Sequence, residues 1–321
     1  MKTLSRRVAL AGFSALSLMP LPVRSEEQVL KMVYPFPAGG SGDIVLRLIA
    51  EQLKVTLGRS VIVENKTGGA GRVGAQSVKR SSPDGATLLF AAGAQFTLQP
   101  HVVAGLNYDP FADFAPISRI VKFDQALVVS SEVPARSIAE LAAWLKANPE
   151  RAAFGSPGAG TGAHFVGLEF GRVFSIPVRH VPYRGTPAAL PDLMAGRLPI
   201  YVASLAELIE HHKSGTIRVL ATAGNIRSPL LPEVPTLKES GVSIEAPGWF
   251  AFYAPANTPT AIQKRLEQEI AAAVVSPPIR AKIEAMGYQI TDTSSKDLAR
   301  IQHAEFEAWA AIVKASDFKP E

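Results

Sequence analysis

The sequence predicts an α/β protein of two lobes, each a mostly parallel sheet flanked by helices, and three observations carry that expectation. Short apolar runs alternate with helix-period stretches along the chain, the pattern of βα units rather than of a sandwich. Two glycine-rich turns, Tyr34-Pro-Phe-Pro-Ala-Gly-Gly-Ser-Gly-Asp43 and Phe154-Gly-Ser-Pro-Gly-Ala-Gly-Thr-Gly-Ala-His164, each join a strand to a helix start. Proline-containing crossings near 115–122 and 247–255 separate two sets of units, and lobes joined by more than one crossing hinge rather than tumble.

Taken in order, residues 30–34 form a short apolar strand and 43–57 an amphipathic helix. Its apolar positions Ile44, Leu48, Leu53 and Leu57 alternate with Arg47, Glu51 and Lys54, and Gly58 stops it. A buried strand at 60–64, a glycine loop at 65–71, a helix at 72–81, a Pro83-Asp-Gly85 turn and a strand at 87–91 complete the first set. After a Pro-rich stretch at 108–116 come a strand at 126–130, a helix at 138–147, a strand at 152–155 and the second glycine turn. The strand at 178–183 then leads to a helix with Thr186 as N-cap and Pro187 at its first position; Pro191 in its opening turns kinks it without breaking it. Strands at 198–203, 218–223 and 249–254 precede helices at 260–275 and 295–315, which are expected to return to the first lobe. The lobes are therefore drawn as 26–121 plus 254–321, and 122–253.

The chain of 321 residues suits about two domains, and 47% hydrophobic with 19% charged is an ordinary globular composition. The net charge is +5 and the pI 9.4. Four of the 33 Lys and Arg lie in an acid-free leader, which leaves 29 against 28 acids. No basic face remains to argue for nucleic acid. Residues 1–25 read as a signal peptide, with an apolar run at 8–21 and cleavage expected after Ser25. Arg6-Arg7 fits a twin-arginine export pattern apart from Ala9, and an ordinary leader with paired arginines is the alternative. The run is shorter than the roughly 18 to 20 apolar residues of a membrane span. There are no cysteines, hence no disulfide, thiolate metal site or lipid-bearing Cys.

For catalysis the chain offers no Gly-x-Ser-x-Gly elbow, no phosphate-binding Lys loop and no His-Glu-x-x-His. His101, His180 and His303 lack partners at ligand spacing, and His211-His212 read as a solvated helix end, so no metal is expected. Gly158-x-Gly160 weakly matches a dinucleotide fingerprint, but the next strand ends in Tyr183-Arg184 with no acid, which argues against NAD or any other cofactor. Binding is better supported. Glycines let backbone amides crowd a ligand, and a helix start offers about four unbonded donors and a partial positive charge, a seat for a carboxylate. Ser41, Ser156 and Thr161 add neutral donors. Each turn alone is equally well a βα connection that binds nothing; two matching turns favour a shared site. Asp43 reads first as a brace for loop amides and second as a contact to a ligand donor. His164 reads as a cap or brace before a proton shuttle, Arg184 equally as carboxylate partner or solvent-facing charge, and Phe36, Trp249 and Tyr253 equally as core or ligand wall.

The motifs at 34–43, 63–75, 83–89, 113–118, 180–185 and 231–241, among them Val63-Glu-Asn-Lys-Thr-Gly-Gly-Ala-Gly and Leu231-Pro-Glu-Val-Pro-Thr, are similar in content and order to the Bug family. These are the periplasmic receptors of tripartite tricarboxylate transporters. The resemblance implies a periplasmic Venus-flytrap receptor, monomeric and without chemistry of its own, that hands a small organic acid to membrane permease subunits. It places the ligand among Phe36, Gly39, Gly40, Ser41 and Asp43, and among Ser156, Gly160, Thr161 and His164. Ala94, Gln95, Arg184, Gly185, Thr186 and Ala203 complete the implied wall. Two departures stand out. Ala38 replaces a common proline, and the strand ending at Ala203-Ser204 lacks the acid many members carry, which disfavours an amino-acid ligand and favours a plain or aromatic carboxylate. An exported enzyme or sensor-coupled module on the same scaffold is the alternative.

Overall fold

The computed structural model describes residues 29–291, 293–315 and 318; the expected leader lies outside the described residues. The first set runs β1 (Leu30–Tyr34), α1 (Ser41–Leu57), β2 (Val61–Asn65), α2 (Arg72–Lys79), β3 (Thr87–Ala92), two short helices α3 (Ala94–Thr97) and α4 (Gln99–Val102), and β4 (Phe114–Phe123). The second runs β5 (Gln125–Ser130), α5 (Ile138–Ala147), β6 (Ala153–Ser156), α6 (Gly162–Phe174), β7 (Arg179–Pro182), α7 (Thr186–Met194), β8 (Ile200–Ser204), α8 (Leu205–Lys213) and β9 (Ile217–Thr222). The chain then returns through β10 (Gly248–Pro255), α9 (Thr260–Val275), α10 (Pro277–Ala285), β11 (Gln289–Ile290) and α11 (Ser295–Ala315).

Two sheets result, in the orders β11-β4-β10-β3-β1-β2 and β7-β6-β8-β5-β9. They are mixed rather than mostly parallel. Parallel pairing is confined to β1 with β2 and β3, and to β6 with β7 and β8, where helices make the crossovers. Strands that carry the chain between sheets, β4, β5 and β10, pair antiparallel. A single residue, Asp124, links β4 to β5. β4 occupies the stretch read as a crossing: Pro116 pairs with Tyr253 beside a register shift, where a strand tolerates a missing donor. β2 is an edge strand and half-buried, not buried as expected.

The helix α1 buries Val45, Leu46, Ile49, Ala50 and Leu53; of the expected stripe Leu53 is core, Leu48 and Leu57 pack against it half-buried, and Ile44 is 43% exposed. Each such buried aliphatic side chain contributes about 2 kcal/mol. Gly58 ends the helix at φ 63°. A Cβ at Gly42 would collide with the Tyr34 hydroxyl and Phe250, so glycine lets the start of α1 lie directly against the sheet. The tail helix α11 does more than return to the first sheet. Gln302 accepts from Tyr253 Oη at 2.9 Å on that side, whereas Trp309 and Val313 join the core of the second sheet, with the Trp309 ring 5.6 Å from Phe165.

Candidate functional site: a cavity between the sheets

The first glycine turn leaves β1 and enters α1 at Ser41. Its brace is Asp43, whose side chain is 3% exposed. Asp43 accepts from Gly39 N at 3.0 Å, Asn65 Nδ2 at 2.8 Å and Arg47 Nε at 2.8 Å. Burial raises its pKa, but the bonds from Arg47, Asn65 and Gly39 outweigh burial and hold it below the ordinary carboxylate value. The second turn is braced by neutral groups. Ser156 Oγ donates to Gly158 O at 2.9 Å and lies 2.8 Å from His180 Nε2. Gly160 N donates to His164 Nδ1 at 3.2 Å, and Thr161 caps α6 by accepting from His164 N at 3.2 Å. His164 stacks on His180 with ring centroids 3.8 Å apart. Burial, and for His164 also the neighbouring ring, lowers their pKa values to about 3 for His164 and about 4 for His180.

These two turns meet at one cavity of about 100 Å³. At about 10–15 Å³ per water the space holds a cluster of waters or one small molecule. Gly40 and Ser41 come to it from the first sheet, and Thr161, Gly162 and Ala163 from the second, with Gly185 and Thr186 after β7. Phe36, Ala94, Gln95, Trp249 and Trp309 are also in the wall. Two helix starts facing one space present backbone donors of the kind that suit an anion.

Of the positions read from the sequence, Phe36, Gly40, Ser41, Ala94, Gln95, Thr161, Gly185 and Thr186 line the cavity. Gly39, Asp43, Ser156 and His164 sit behind it and hold the turns, which matches the bracing role expected first for Asp43 and His164. Gly160 and Arg184 line a neighbouring hollow of about 310 Å³ that also contains Arg72. Ala203 is fully buried in the second sheet's core and does not reach the cavity, because its side chain faces away from Ser204, which does. Trp249 lines the cavity, whereas Tyr253 is core, stacked on Phe96 at 4.2 Å.

Sequence reasoning missed Glu207. It stands in the first turn of α8, lines the cavity and reaches across to the first lobe, accepting from Ser41 N at 3.3 Å and from Thr186 Oγ1. Burial raises its pKa, offset in part by the bonds from Thr186 and Ser41. The spacing Ser204-Leu-Ala-Glu207 is that of a capping box, which reads as a helix start and hides the site role. No cap bond forms at Ser204. The strand end at Ala203-Ser204 has no acid, as read from the sequence, but Glu207 brings one to the wall one helical turn further on. Among the described residues no cluster of ligating side chains suits a metal, and no helix is long and apolar enough to cross a membrane.

Two mixed α/β sheets joined by crossing strands, with backbone turns from both meeting in one cavity, define a two-lobed solute-binding protein. The family model described as "Tripartite tricarboxylate transporter family receptor" matches residues 45–318, and the chain belongs to that family. It is 29% identical to BugT of Bordetella pertussis over 315 residues, 97% of this chain and 95% of BugT. The fold superposes on the periplasmic binding protein BugD with a TM-score of 0.87 at 28% identity, covering 92% of this chain and 99% of BugD. An R. palustris protein solved with adipate gives a TM-score of 0.87 at 29% identity, covering 91% of this chain and 98% of that one.

Proposed function

We propose that this receptor captures a small organic carboxylate between its lobes and delivers it to the membrane subunits of a tripartite tricarboxylate transporter. The observation that carries the reading is the convergence of Gly40-Ser41 and Thr161–Ala163, from two different sheets, on one small cavity. Backbone amides at helix starts supply donors without adding a formal charge, which suits reversible capture and release. The family and the adipate bound to the R. palustris relative support the ligand class. The chain acts in the periplasm as a monomer after cleavage near Ser25, and it turns nothing over. Its lobes are 26–121 with 254–321, and 122–253, closing about β4–β5 and the approach to β10. Calorimetry against a panel of mono-, di- and tricarboxylates tests the reading. Saturable one-to-one binding with the ligand recovered unchanged is expected; product formation, or no binding across the panel, overturns it.

A further inference from the structure

The charged groups of the cavity wall are acids. Among the described residues the wall includes two carboxylates, Glu207 and Glu305, and no Lys, Arg or His. Glu305 has partners, since Trp249 Nε1 donates to it at 2.7 Å and the Arg119 guanidinium acts on it through space. Glu207 has donors but, among the described residues, no cation. Ser41 N donates to its Oε1. Tyr201 Oη donates to Thr186 Oγ1 at 3.2 Å, which leaves the Thr186 hydrogen for Glu207 Oε2. These two bonds favour the charged form of Glu207 and oppose the burial that raises its pKa.

Three phenols surround that charge. Tyr34, Tyr201 and Tyr288 are each pushed up first by burial and next by the Glu207 charge. Beside them Ser204 is 7% exposed and lies in the cavity wall; its Oγ stands near the Tyr288 hydroxyl, which is engaged with Ser41 Oγ at 2.6 Å, and has no partner within full hydrogen-bond geometry. A carboxyl group with no cationic partner among the described residues and a hydroxyl on the same wall form a seat for a cation. An uncompensated buried charge is unfavourable, and a ligand cation would complete it.

We propose that Glu207 and Ser204 together seat a protonated amine, so that the ligand is a zwitterionic amino carboxylate. Its carboxylate lies at the start of α6 on Gly162 and Ala163, because Ser41 N at the other turn is already engaged by Glu207. The inference rests on the carboxylate-receptor reading and reverses the preference drawn from Ala203. It makes Glu207 the residue that separates an amino acid from the same acid without its amine.

The test is calorimetry on the mature receptor with matched pairs differing only in the α-amino group, such as aspartate with succinate and glutamate with glutarate, within the wider carboxylate panel. The amino member of the preferred pair is expected to bind about 10- to 100-fold tighter. Glu207→Gln removes that preference, the amino member losing far more affinity than the amine-free acid, with the melting temperature reporting that the fold is intact. Ser204→Ala weakens only the amino member, by about threefold to tenfold. In the unaltered receptor, buffers of different ionisation enthalpy show no proton uptake on binding the amino member. Amine-free acids that bind as tightly as their amino partners overturn the inference alone and leave the carboxylate reading standing. So does proton uptake with a dicarboxylate, which makes Glu207 a protonated donor. Absence of binding across the whole panel removes both.

Discussion

The turn at 36–43 is held by charge, and the turn at 156–164 by neutral rings and hydroxyls. In the first, one buried carboxylate, Asp43, gathers a loop amide, an amide side chain and a guanidinium. In the second, Ser156, Thr161 and two stacked histidines share the work, and burial keeps both rings uncharged. Both arrangements rigidify a glycine-rich backbone so that its donors stay aimed at the cavity. The difference shows that a glycine-rich turn can be held rigid by unlike bracing chemistries, and each brace fails under its own conditions.

The sharpest way to break the comparison is to remove the charged brace. Asp43→Ala leaves the Gly39 amide, Asn65 and Arg47 without their acceptor; a loss of about 3 kcal/mol of stability is expected, with binding lost as well. Chemical denaturation measures it, and the equivalent His164→Ala change is expected to cost about half as much. Next comes the contact between lobes. Gly185 has φ 88°, and a Cβ there would meet Pro37 of the opposite lobe at 3.1 Å. Gly185→Val is therefore expected to weaken ligand binding by about 10- to 100-fold with less effect on the melting temperature of the free protein.

Acid separates the two turns more gently. The histidines have folded pKa values of about 3 and about 4, below the unfolded value of about 6.5. The unfolded chain therefore binds the extra protons first. The stability from the neutral rings is full above about pH 6.5 and is lost as pH falls toward those folded values. Asp43 is also lowered, from an unfolded value near 3.9, so its contribution persists until pH falls through that more acidic range. Protection from amide exchange, taken relative to the intrinsic rate at each pH, is expected to fall across 156–164 on acidification before it falls across 36–43; the reverse order would contradict the assignment of braces. The smallest effect belongs to Arg184, which lines the outer hollow with Arg72 rather than the cavity. Arg184→Ala is expected to slow association by less than about tenfold in a salt-dependent manner, with little change in dissociation.

Much of this was readable from local pattern. Gly58, the alternation of strands with helices and both glycine turns follow from short-range rules, and α5, α9 and α11 occupy the expected residues. β4 was hidden because Pro116, with Pro110 just ahead of the strand, resembles a linker, and only the pairing with β10 explains how Pro116 is accommodated. The exposed Ile44 shows that helical spacing gives the existence of an apolar face more securely than its rotation. Glu207 was out of reach for a different reason. Its partners Ser41 and Thr186 lie 166 and 21 residues away, so nothing in the local Ser204-x-x-Glu207 spacing distinguishes a site residue from a cap. Arg184 and Ala203 show the converse: next to a site in sequence, they face a neighbouring hollow and the core.

Amide hydrogen exchange, measured residue by residue with and without a saturating carboxylate ligand, addresses the shared seat most directly. Slower exchange at Gly40–Ser41 and at Gly162–Ala163 together is the expected result, since a ligand lying between the two starts shields the first, whose Ser41 N is held by Glu207, and bonds the second. Protection confined to one of the two turns, or found at neither while the ligand is bound, would contradict capture between the lobes.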